Sequence, residues 1–136
     1  MNVKTALNNL YELISTAELD EAVGIRLAYL TGDDEFSLFG AEIGPYKRLA
    51  AHYHEAGIEI YQIVDGYGTM FTGSHDCKDN VTTWNKPLKV KKGDCFTINE
   101  GETHQLLNNS ESNLVVIFGS PKSHLSTDRI VVNGYE

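Results

Sequence analysis

The chain has 136 residues, of which 41% are hydrophobic, 22% charged and 10% aromatic. That is one globular domain, and it excludes a disordered, collagenous or disulfide-scaffold protein. Eleven Lys and Arg against nineteen Asp and Glu leave a net charge of −8, which argues against a nucleic-acid or membrane-surface partner and for a small-molecule ligand or a local metal. Residues 1–9 are too polar for a signal-peptide core, and no apolar run approaches the roughly 18 residues of a membrane helix. A cytoplasmic protein with Cys77 and Cys95 as free thiols is expected.

Val3, Leu7, Leu10 and Ile14 recur at three-four spacing and predict a helix over 2–15, with a second short helix over 15–22. Residues 1–24 read as a helical segment packed on a barrel of residues 25–136. After Gly24 the texture changes to short apolar runs between turn residues. Strands are expected near 25–30, 37–43, 48–54, 59–64, 68–72, 88–90, 95–98, 105–107, 114–118 and 129–132. Many short, evenly spaced strands suggest an all-β jelly roll or closed barrel. The stretch 73–87, with His75, Asp76 and Cys77, reads as the least structured.

Three of the five histidines form a pattern. His52 and His54 are two apart, so on a strand they share a face. The turn at Glu55-Ala56-Gly57 can return Glu59 beside them, and His104 offers a further imidazole. Imidazoles with a carboxylate suit iron, manganese, nickel, copper or zinc as a divalent ion. His124 reads as a surface residue.

The full spacing is more specific. His52-x-His54, Glu59 and Gly66, followed by Gly93, Asn99-x-Gly101, His104 and Asn108, resembles both motifs of the cupin superfamily. Two positions depart from the family pattern: Gly44 lies eight before His52 rather than six, and Asn99 stands where proline is usual. Neither is a ligand, and asparagine tolerates turns. The resemblance implies a double-stranded β-helix, with one divalent transition metal held by His52, His54, Glu59 and His104 and positions left open for substrate.

Strand parity extends the reading to the cavity. With Glu59 inward, Tyr61 and Ile63 face in; with His104 inward, so do Leu106 and Asn108. Phe39 alternates inward on its strand, and Arg48 shares the inner face if strand 48–54 is unbroken, roughly 13 Å from His52. Tyr61 is the candidate catalytic residue, since a tyrosine beside a cation can lose its proton more easily. The Glu-x-Tyr spacing also resembles the cupin-type dimethylsulfoniopropionate lyases, in which the corresponding tyrosine is the proposed base. Such a chain is expected to be a metal-dependent enzyme on a small polar metabolite, of oxygenase, lyase or isomerase type. The alternative is a metal-bearing module that binds a sugar or effector without turnover. A homodimer is expected, with the N-terminal helix and the tail 128–133 as spare elements.

Overall fold

Alternation of buried and exposed residues sorts the chain into two antiparallel sheets facing one another. On β5 (Glu59–Asp65), Glu59, Tyr61 and Ile63 turn inward while Ile60 and Gln62 face out. The computed structural model describes residues 4–136. The first sheet runs β1 (Leu19–Asp20), β2 (Ile25–Gly32), β3 (Ser37–Ile43), β11 (Leu114–Ser120), β5 and β9 (Cys95–Ile98). The second runs β12 (Ile130–Val131), β4 (His52–Tyr53), β10 (Thr103–Leu107), β6 (Tyr67–Asp76) and β7 (Val81–Trp84), with β8 (Leu88–Lys91) also paired to β6. The inner faces meet in a core centred on Ile43, Ile63, Met70, Leu106, Leu114 and Val116, each at most 1% exposed. Burying each such side chain contributes about 1.5–3 kcal/mol. This is the double-stranded β-helix expected from the sequence.

The N-terminal region is less helical than its spacing predicts. Met1–Val3 lie outside the described residues, 4–9 have no regular structure, and α1 spans only Leu10–Thr16. Asn8 and Asn9 explain the late start. The Asn8 amide donates to the Leu30 carbonyl at 2.8 Å, and the Asn9 side chain caps the helix by accepting from the Glu12 N–H at 3.1 Å. The helix seats Ile14 on the outer faces of β2 and β3, directly over Gly40. Any Cβ at Gly40 would collide with Leu10 Cδ1, so glycine there permits the close approach. The expected second helix over 15–22 is absent. Leu19–Asp20 instead pair with Ile25–Arg26, joined by a turn in which the Asp20 carbonyl accepts from the Gly24 N–H at 2.7 Å.

Three further expectations are corrected. The stretch 73–87 is ordered: β6 continues to Asp76 and pairs with β7 through a turn in which Asp76 Oδ1 accepts from the Lys78 and Asp79 N–H groups. Its polar residues on both faces hid the strand period. The strand expected over 48–54 shrinks to β4. His52 pairs with His104, but Arg48 bridges Leu107, so four residues on one side span three on the other. Such a one-residue slip reverses the facing of every side chain beyond it, and Arg48 is exposed rather than inward. The C-terminal tail is not spare either, because β12 pairs with β4 within the chain.

Candidate metal centre

β4 and β10 place His52 and His104 opposite one another, with ring centroids 4.3 Å apart. His54 follows β4 on the same face, its ring 4.9 Å from His52 and 5.3 Å from His104. Then the turn 55–58 reverses the chain and β5 brings in Glu59. Its Oε2 lies 3.0 Å from His54 Nε2 and its Oε1 3.9 Å from His104 Nε2. All four side chains are at most 6% exposed. The four residues singled out from the sequence are therefore neighbours in space.

The hydrogen bonds fix how each imidazole points. His52 Nδ1 donates to the Ala50 carbonyl at 2.7 Å, His54 Nδ1 to the Asp128 carbonyl at 2.6 Å, and His104 Nδ1 to the Glu102 carbonyl at 3.1 Å. A carbonyl can only accept, so Nδ1 carries the proton in each ring and Nε2 keeps a lone pair. Such bonds orient metal-ligating histidines in general. Ring nitrogens of the three histidines lie within 4.8 Å of one another. His54 Nε2 and His104 Nε2 are buried without a hydrogen-bond partner. The 3.0 Å approach of His54 Nε2 to Glu59 thus lacks hydrogen-bond geometry and sets two lone-pair atoms face to face. A cation among these atoms removes that conflict, and three imidazoles with a carboxylate are the donor set that transition metals take. The residues present fit a divalent metal ion.

Electrostatics agree. Burial, reinforced by the neighbouring His104, lowers the His52 pKa to about 3, and burial also lowers that of His104. Both rings are neutral at physiological pH, so protons do not compete for their lone pairs. Burial alone would raise the Glu59 pKa, but the contact with His124, first among the groups that oppose it, holds the carboxyl well below the usual range.

His124 is the residue that sequence reading missed. Far from being a surface residue, it is fully buried, its ring stacked on His54 at 3.9 Å and 3°. Its Nε2 donates to the Ala56 carbonyl at 2.6 Å, and its Nδ1 lies 3.0 Å from Glu59 Oε2. Burial would lower its pKa, but the Glu59 carboxylate, the Ala56 carbonyl and Asp128 together raise it. It arrives on a 3-10 turn, Lys122–Leu125, within a segment clamped over the site. Asp128 secures that segment: its carboxylate accepts from the Glu55 and Ala56 N–H groups at 2.7 and 3.0 Å. No spacing rule connects His124 to the motif residues, since its neighbour Glu59 is 65 positions away.

His52, His54, Glu59 and His124 open onto a cavity of about 300 Å³. Its wall includes Tyr61, Ala41, Leu27, Leu49, Phe118 and Arg129. Tyr61 reaches the wall as expected, but burial and then the Glu59 charge push its hydroxyl well above the ordinary phenol range. In the protein's own field it holds its proton. The ring is packed between Phe96 and Phe118, with centroids 5.4 and 5.6 Å away. Phe39, Ile63 and Leu106 are buried in the core and are not part of the cavity wall. Asn108 is buried as a staple: its amide donates to the carbonyls of Ile43, Gly44 and Ser112 at 2.8–3.0 Å. Arg48 lies outside, its guanidinium toward the Tyr135 carbonyl. Cys77 and Cys95 are exposed and unpaired.

No helix among the described residues is long and apolar enough to cross a membrane. No family model matches the sequence, and no curated protein matches it. Solved structures do match the fold. KdgF from Halomonas sp. aligns with a TM-score of 0.68 at 14% identity, over 88% of this chain and 96% of its own. A predicted oxalate decarboxylase from Thermotoga maritima gives 0.68 at 18% identity, over 93% and 100%. An uncharacterized conserved protein with a double-stranded β-helix domain from Klebsiella pneumoniae gives 0.68 at 12%, over 96% and 100%. With its two facing antiparallel sheets, the chain has the double-stranded β-helix fold of these structures.

Proposed function

We propose that the protein is a metal-dependent enzyme acting on a small polar metabolite, with one divalent transition metal held by His52, His54, Glu59 and His104. The observation that carries this reading is the convergence of buried Nε2 lone pairs, each ring fixed by an Nδ1 bond to a backbone carbonyl. A bound ion supplies Lewis acidity toward a carbonyl or carboxylate oxygen. His124 holds the Glu59 carboxylate in place. The apolar wall excludes water, and Tyr61, which keeps its proton on the cavity wall beside Glu59, serves as proton donor. This role differs from that of a base formed by a lowered pKa. Exposed Ile58 and Ile60 beside the sheet edge at β9 favour a homodimer through that edge, which light scattering at micromolar concentration tests.

Elemental analysis of the purified protein tests the metal reading. Near-stoichiometric transition metal in the wild type, lost in folded His54→Ala and His104→Ala variants, is the expected result. A protein that stays metal-free after reconstitution overturns it and leaves a small-molecule binding module.

A further inference from the structure

Three other cations of the chain are engaged elsewhere. Arg26 donates to the Ala17 carbonyl at 2.6 Å, Arg48 reaches toward the Tyr135 carbonyl, and Lys122 pairs with Asp34 at 3.5 Å. Arg129 differs. It lies on the cavity wall with His52 and His54, and among the described residues no carboxylate comes within 4.0 Å of it and no hydrogen bond engages its guanidinium. Its backbone is anchored on both sides. Before it, Asp128 is tied to Glu55, Ala56 and His54; after it, Ile130 pairs with Tyr53. Asp20 shares the same wall, but its Oδ1 is occupied in accepting from the Ala22 N–H at 3.1 Å.

An unpaired guanidinium, exposed at the edge of an apolar cavity and carried on an anchored backbone, is an arrangement that recognises a carboxylate, because its planar fork matches the two oxygens. The rest of the wall, with Leu27, Leu49, Ala41 and Phe118, offers apolar contact. At about 30 Å³ per water-sized group, the volume accommodates roughly ten heavy atoms. A local cation also gives a negatively charged ligand a reason to approach a chain of net charge −8.

We propose that Arg129 is the anion-binding residue of this cavity and that its ligand is a small carboxylate with a short apolar body. This rests on the reading of the cavity as the substrate site, and it names the class of substrate.

Hexanoate and its neutral analogue hexan-1-ol are the probes. Their binding is followed by protein-observed NMR in metal-free and zinc-loaded wild type, Arg129→Gln and Arg129→Lys. In the metal-free wild type, hexanoate is expected to bind about ten-fold more tightly than the alcohol, as a charge-assisted hydrogen bond implies. Arg129→Gln should erase that preference without weakening the alcohol, and Arg129→Lys should restore part of it. Equal binding of the two probes, no binding of hexanoate, or a preference that survives Arg129→Gln overturns the proposal. A preference seen only with zinc and indifferent to residue 129 assigns the carboxylate to the metal and also overturns it. If the charge preference holds but zinc never binds, the metal reading fails alone; if zinc binds and the preference is absent, this inference fails alone.

Discussion

Replacing His124 with phenylalanine probes how Glu59 is held. The substitution keeps an aromatic ring against His54 but removes both ring nitrogens. Glu59, 3% exposed, then loses the partner at 3.0 Å, and the Ala56 carbonyl loses its donor at 2.6 Å. Leaving one member of a buried pair uncompensated costs about 3–5 kcal/mol. For a chain of this size that corresponds to a fall in Tm of roughly 15 °C. Circular dichroism melts of the metal-free protein measure it. Glu59→Gln removes the charge that His124 serves, so the double variant should be less destabilised than the sum of the singles by more than about 1 kcal/mol. A saturating divalent ion should also reduce the loss, because it takes over the carboxylate. The sign of the pH dependence follows from the raised pKa of His124. Its contribution is complete below the ordinary value of 6.5 and fades as pH rises through the folded-state value. A loss below about 1 kcal/mol, or strictly additive variants, would show that His124 does not hold Glu59.

Further expectations follow from neighbouring groups. The His52 pKa, lowered to about 3, means that the unfolded chain binds the extra proton first. Metal-free stability should therefore fall as pH drops from 6.5 toward 3, by on the order of 1 kcal/mol per pH unit, and denaturant titrations at several pH values read this directly. Tyr61→Phe preserves the stack with Phe96 and Phe118 and removes only the hydroxyl. It should keep fold and metal while lowering turnover at least tenfold, in line with general acid catalysis; unchanged turnover on a true substrate ends the proton-donor role. Gly66 has φ +94°, and a Cβ there would meet the Asn113 carbonyl oxygen at 2.6 Å. Gly66→Ala should cost more than about 1 kcal/mol in chemical denaturation.

Much of the site was legible because it is local. His52 and His54 share a face by strand period, and Glu59 returns across a short turn. β5 follows its alternation from Glu59 through Ile63. Arg48 misled because parity holds only along an unbroken ladder, and the one-residue slip against β10 is invisible in the sequence. The helix expected over 2–15 failed where Asn8 and Asn9 spend their side chains on Leu30 and on capping. His124 and Arg129 were missed for another reason. They belong to an irregular segment held by the Asp128 carboxylate, and irregular segments carry no period to read.

Three Nε2 lone pairs are expected to converge on one ion. Long-range proton–nitrogen correlation NMR of the histidine rings, recorded during a zinc titration, tests it most directly. His52, His54 and His104 are expected to carry their ring proton on Nδ1 in the metal-free protein at neutral pH, and all three Nε2 resonances should shift together, saturating at one zinc per chain. Protons found on Nε2, or Nε2 resonances that zinc leaves unmoved, would contradict it.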